Sequence, residues 1–267
     1  MTLLISLIAY AIAGMLAGSL SGLLGIGGGV VIVPALLFIF RDNPQFPPAV
    51  LMHIAAGTSL AVMIFIAPNS IRAHAKKGPI LWPVFQKLFP GIAVGTVAGA
   101  ILANYMSTYI LKIIFGIFLF FVAGKMGFDM VKKAHKESHF PASWINRLVS
   151  FFIGLKSGLL GVGGGILIIP YLHYCGIEMK KIAPVSSLCT LTVGVIGSIS
   201  FILTGWNEPN LPTYSTGFVY WPAVGLLALF SSFFAPIGAK LAYVLPVNQV
   251  KYCFIVLLIL TAINLLK

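Results

Sequence analysis

Only five of the 267 residues are acidic, and none of them lies deep in an apolar run. A sodium or proton site made of buried carboxylates is therefore poorly supported, and no residue identifies a coupling ion, whether proton or sodium. Cysteine is scarcer still. Cys175, Cys189 and Cys253 stand apart in apolar surroundings with no CxxC or Cys/His spacing. That pattern indicates neither a disulfide framework nor a zinc site, and reads as packed thiols. Charged residues of both signs make up 8% of the chain, against about 25% in soluble domains. A surface so poor in charge is not built for water.

What fills the chain instead is apolar: 59% of residues, in runs that recur from end to end at lengths near the ~20 residues needed to cross a bilayer. The composition describes a multi-pass membrane protein in contact with lipid, with no stretch left for a sizeable soluble domain. The formal charge of +12 comes from Lys and Arg in short links between apolar runs, where a positive-inside bias puts them, so no nucleic-acid partner is implied. The first segment, Leu3 to Leu20, lacks the basic start of a signal peptide and reads as mature structure.

The strongest signal is internal. SGLLGIGGGVVIVP, Ser21 to Pro34, returns as SGLLGVGGGILIIP, Ser157 to Pro170, with every mismatch an exchange among Ile, Val and Leu. Weaker echoes follow in the same order: Thr58-Ser59-Leu60 against Ser186-Ser187-Leu188, Trp82-Pro83 against Trp221-Pro222, and Gly99-Ala100 against Gly238-Ala239. The chain divides into one transmembrane repeat over 1–131, a basic linker over 132–143 and a second repeat over 144–267.

Turn signals cut each half into about five helical segments. The first half gives Leu3 to Leu24, Gly29 to Phe40, Ala49 to Pro68, Pro79 to Ala103 and Thr108 to Met130. The second gives Ile145 to Leu160, Gly165 to Tyr174, Ile182 to Thr204, Gly217 to Leu245 and Asn248 to Leu266. Gly29 to Phe40 would extend only ~18 Å as an α-helix, short of a ~30 Å hydrocarbon core, so the first helix pair of each repeat is broken at its glycines. Loop charge orients the halves. IRAHAKKG, Ile71 to Gly78, and the central linker are basic and read as cytoplasmic, whereas the loop matching Ile71 to Gly78, TGWNEPNLPTYSTG, carries Glu208 and no Lys or Arg and reads as external. Corresponding loops on opposite sides predict an all-α fold of two inverted-topology repeats, with a substrate site near the midplane where the repeats meet.

A broken membrane helix exposes backbone amides that lipid cannot satisfy, so the breaks must face protein or a water-filled cavity. The helices beginning at Gly29 and Gly165 point N–H groups and the positive end of a dipole at that place, a cradle for a small anion. Glycines that merely allow close helix crossing are the plainer alternative. Lys156, directly before the second cluster and some ten residues into its helix, is the ionisable residue best placed to meet an anion; its counterpart is Leu20. Thr58, Ser59, Ser186 and Ser187 offer hydroxyls at matching places, for an oxyanion or for backbone carbonyls. His53 and His173 sit near segment ends and read as hydrogen-bonded structural residues; Asn69, Asn104 and Asn207 read as caps or loop residues.

Together the doubled SGLLG[IV]GGG motif, Gly57-Thr58-Ser59-Leu60 and the Gly-Ala-x-Leu-Ala endings resemble the sulfite exporter TauE/SafE family over nearly the whole chain. The resemblance implies a bacterial-type inner-membrane transporter of sulfur-containing or organic anions such as sulfite and sulfonates. Matched motif by motif, it points to Gly25, Gly27, Gly28, Gly29, Pro34, Thr58 and Ser59, and to Gly161, Gly163, Gly164, Gly165, Pro170, Ser186 and Ser187. Val185 stands where the first half has Gly57, so the halves need not contribute equally. No cofactor, metal site or catalytic residue is expected. An anion channel shares these features, and an intramembrane serine hydrolase, with Ser59 near His53, lacks a nucleophile motif. The 28 glycines suit packing within one chain as well as between chains, which leaves the oligomeric state open.

Overall fold

A computed structural model describes residues 3–24, 27–76, 78–129, 141–241 and 247–266. Ten helices follow one another among them: α1 (Leu3–Leu24), α2 (Gly29–Arg41), α3 (Leu51–Ala75), α4 (Trp82–Asn104), α5 (Thr108–Asp129), α6 (Ser143–Leu160), α7 (Gly165–Tyr174), α8 (Met179–Thr204), α9 (Trp221–Leu241) and α10 (Val247–Leu266). The expected segments are all present, most within three residues of their expected ends. Six of these helices are long and apolar enough to span a bilayer, while α2 and α7, at 13 and 10 residues, reach only about 20 and 15 Å.

Two boundaries differ for physical reasons. Helix α3 runs through Pro68 to Ala75 rather than stopping there. Proline removes one N–H from the ladder, and a membrane helix tolerates that where its neighbours re-satisfy the freed carbonyl. Pro68 leaves the Ile64 carbonyl without its helical donor, and at the adjoining carbonyl Asn69 Nδ2 and, from α9, Ser232 Oγ both donate to Phe65 O at 3.2 Å. Asn69 is thus part of the helix, not its cap. The α8–α9 connection is also more ordered than a plain loop, and it adds a small β element to the all-α expectation. Strands β1 (Ser215–Thr216) and β2 (Val219–Tyr220) pair antiparallel around Gly217, which has the positive φ that a two-residue hairpin turn requires.

Packing centres on α3 and α8, whose apolar windows are 83% and 61% buried, against 39% for α1, α4 and α5. The outer helices turn large apolar side chains outward, among them Ile8 and Ile12 on α1, Val94 on α4 and Ile117 and Phe121 on α5. In water such a belt would be an aggregation surface; against lipid it is the expected face.

The outer helices pair across the halves, α4 with α6 and α1 with α9. Glycine sets the register of both interfaces. A side chain on Gly154 would strike Ile92, on Gly158 Thr96, and on Gly99 Leu155. The equivalent residues repeat the pattern: Gly18 faces Ser231, Gly22 faces Ala235 and Gly238 faces Ser19. Small residues allow the backbones to approach closely, and with no hydrophobic drive between helices in lipid, such packing carries the association. At the centre, Gly57 abuts Phe201, Gly197 abuts Leu60 and Gly194 abuts Met63, so numbering rises on α3 as it falls on α8. These two equivalent helices run antiparallel.

Gly158→Val forces a branched side chain into the Thr96 carbonyl, and overpacking of this kind costs about 1–3 kcal/mol or more. The expected result is loss of the monodisperse species in detergent or a clear drop in thermal midpoint. Gly124→Ala and Gly225→Ala, where nothing lies within 4 Å, should leave both unchanged.

Candidate functional site

Each short helix is started by a glycine carbonyl. Gly28 O accepts from Val31 N and Ile32 N at 3.0 and 3.1 Å, and Gly164 O accepts from Leu167 N and Ile168 N at 3.1 and 3.0 Å. The chain arrives at these points differently. Gly27 and Gly28 have φ of 84° and 73°, whereas in the second half the left-handed residue is Gly161, at 69°, which ends α6 with its N–H on Ser157 O. Only glycine enters that region without a Cβ penalty, so these three positions are fixed by backbone geometry. Gly25 lies outside the described residues.

The two breaks meet. A methyl group added to Gly29, the first residue of α2, would lie 2.8 Å from Gly161 O and 3.0 Å from Val162 Cα. One added to Gly27 would lie 3.1 Å from Thr190 Oγ1 and 3.4 Å from Gly163 Cα. The start of α2 is therefore seated against the chain that leads into α7. A side chain of α3 reaches the second break: Ser59 Oγ, fully buried, donates to Gly161 O at 2.8 Å.

The other expected residues have different neighbours. Thr58 Oγ1 accepts from Tyr220 N at 3.0 Å, which fastens α3 to the hairpin. Tyr220 in turn lies edge-on to Phe40 and Phe46, whose rings stack 3.9 Å apart. Ser187 Oγ donates to Ala183 O in its own helix at 3.0 Å, the helix-bonding use of a membrane serine; Ser186 is buried beside it. His53 is structural, with Nε2 donating to Ala103 O at 2.9 Å. The Lys156 amino group lies 4.3 Å from the Phe118 ring centroid on α5, buried and with no hydrogen-bond partner among the described residues. The neighbours that crowd the breaks are Met63, Ala56 and Thr190 rather than Lys156.

Sequence reading missed Thr190 and Ser157. Both hydroxyls are buried without a partner among the described residues. The signals were available: Thr190 follows Ser186 and Ser187 by one helical turn, which puts it on the same face of α8, and Ser157 opens the second copy of the repeated motif.

The family model for the sulfite exporter TauE/SafE matches residues 10–265. Among curated relatives, a probable membrane transporter protein of Haemophilus influenzae is 35% identical over 255 residues, covering 95% of this chain and 96% of its own length. Probable membrane transporter protein MJ0441 of Methanocaldococcus jannaschii is 31% identical over 86% of this chain and 84% of its own. Probable membrane transporter protein YunE of Bacillus subtilis is 27% identical over 75% and 80%. No solved structure matches the chain.

Two substitutions test the geometry by thermal unfolding in detergent. Ser59→Ala removes the bond to Gly161 and leaves a buried carbonyl short of a donor, so a loss of about 1–3 kcal/mol is expected. Lys156→Met keeps an apolar stem against Phe118 and removes a buried amino group that has no hydrogen-bond partner among the described residues, so its midpoint should equal or exceed the parent's. A midpoint clearly below the parent's would mean that the amino group has a stabilising partner.

Proposed function

Since the chain belongs to the sulfite exporter TauE/SafE family of membrane transporters, we propose that it is a secondary transporter of a small oxyanion or organosulfur anion of the sulfite or sulfonate kind. It binds this anion where the two glycine breaks meet, and moves it across the inner membrane by alternating access. It is a transporter and not an enzyme.

The observation that carries this reading is the seating of Gly29 against Gly161 and Val162. It sets the start of α2 against the buried chain leading into α7, which supports the two N-terminal ends sharing one region away from lipid. Each helix end is equivalent to roughly +0.5 elementary charge, so two together balance about one negative charge without a basic side chain. Desolvation cost grows steeply with charge, which favours a singly charged anion over a doubly charged one.

The antiparallel run of α3 against α8 supports halves of opposite orientation, with the substrate region at their junction. Arg72 and Lys76 at the α3–α4 connection, with Arg147 near the start of α6, favour a cytoplasmic side that includes linker 132–143. The connection bearing Glu208 and the hairpin is then external. In this frame Lys156 packs its amino group against Phe118 on α5 rather than serving as a direct ligand at the break.

Purified protein in liposomes tests the reading. Labelled methanesulfonate should enter saturably, uptake should rise when unlabelled methanesulfonate is trapped inside, and sulfate should compete at least about tenfold less well, a difference of ~1.4 kcal/mol. Non-saturating current without exchange would make the protein a channel. Folded protein with no anion flux would remove the proposal.

A further inference from the structure

We infer that Thr190 is a specificity-determining residue of this site, donating its hydroxyl hydrogen to an oxygen of the bound anion; the inference rests on the glycine breaks being the substrate site.

Five other hydroxyls of α8 share one use. Ser187, Thr192, Ser198, Ser200 and Thr204 each donate to the carbonyl four residues back, at distances between 2.6 and 3.1 Å. That is the ordinary fate of a serine or threonine in a membrane helix. Thr190 departs from it. Its residue is 1% exposed and its Oγ1 is buried, yet it has no hydrogen-bond partner among the described residues. A buried hydroxyl left unpaired is costly, so an orphan of this kind needs an explanation.

Its direction gives one. The Thr190 side chain is aimed at Gly27, with Oγ1 3.1 Å and Cγ2 2.5 Å from where a Gly27 Cβ would stand. Gly27 is one of the left-handed residues of the first break, two positions before α2 begins, and it lies beside Gly163 of the second break. The hydroxyl therefore borders the region where the two helix ends converge. It is a neutral donor, which matches the backbone amides of the helix ends and adds an interaction that an anion's oxygen can accept.

The position also separates the halves. The alignment of Thr58-Ser59-Leu60 with Ser186-Ser187-Leu188 puts Val62 opposite Thr190 in the repeat. The donor comes from the second half alone. An anion held this way is bonded to α8 through one side chain and to both halves through backbone.

The test is counterflow of methanesulfonate in liposomes with the parent, Thr190→Val and Thr190→Ser, together with thermal midpoints. Valine keeps the shape and removes the donor; serine keeps the donor. The expected result is a roughly ten- to hundredfold rise in KM for Thr190→Val with its midpoint equal to or above the parent's, and a KM for Thr190→Ser within about threefold of the parent. An unchanged KM in Thr190→Val overturns the inference while leaving the site reading intact. A folded parent protein that moves no sulfonate overturns both. If Thr190→Val is instead destabilised, the hydroxyl serves the fold and the inference fails.

Discussion

A polypeptide interrupted inside a bilayer must find partners for its backbone within the protein, because hydrocarbon offers none. This constraint organises the molecule. Two helices stop at glycine clusters and two short helices begin after them, too short to cross alone. Each interruption is seated against the other, and Ser59 reaches across to Gly161 O to satisfy a carbonyl at the second break. The repeated motif thus works as a pair: one copy alone would leave its broken backbone facing lipid.

Holding the breaks together requires a frame that locates them closely, and the glycine-lined crossings of α4 with α6 and α1 with α9 provide it. Both crossings join one half to the other. Because the same repeat positions meet in each, Gly158 on Thr96 and Gly22 on Ala235, the frame is close to two-fold symmetric in register. Dispersion between closely approaching backbones replaces the hydrophobic drive that is missing in lipid, and it falls off quickly with distance. Glycine at these positions is a requirement of contact, whereas at Gly124 and Gly225 it touches nothing.

Much of this was legible in the sequence because glycine and proline punctuate it. The ends of α1, α7 and α8 at Leu24, Tyr174 and Thr204 and the starts of α2, α5 and α7 at Gly29, Thr108 and Gly165 coincide with turn signals. Pro68 misled, since proline reads as a helix stop from the chain alone, whereas a helix packed inside a membrane protein can run through it. Side-chain direction was not legible. Lys156 adjoins the glycine motif in sequence, yet the helical rotation of α6 turns its amino group toward Phe118 on α5. Thr190 stands 25 residues after Gly165, and only the packing of α8 across the breaks brings it to Gly27. The hairpin was hidden for another reason: two-residue strands leave almost no alternation to read.

The hairpin is where the symmetry ends, and the difference bears on movement. Thr58 and Ser59 are consecutive on α3, and each is bonded to the second half, Thr58 through Tyr220 N on the hairpin and Ser59 through Gly161 O at the break. Consecutive helical residues project about 100° apart, so one turn of α3 grips the second half in two directions. A shift of α3 relative to that half strains both bonds at once. The aromatic contacts of Tyr220 with Phe40 and Phe46 extend the same linkage to the end of α2, whose other end is Gly29. Backbone break, hairpin and short helix are therefore one mechanical unit. A movement of α3 away from the second half would have to break the bonds of Thr58 and Ser59.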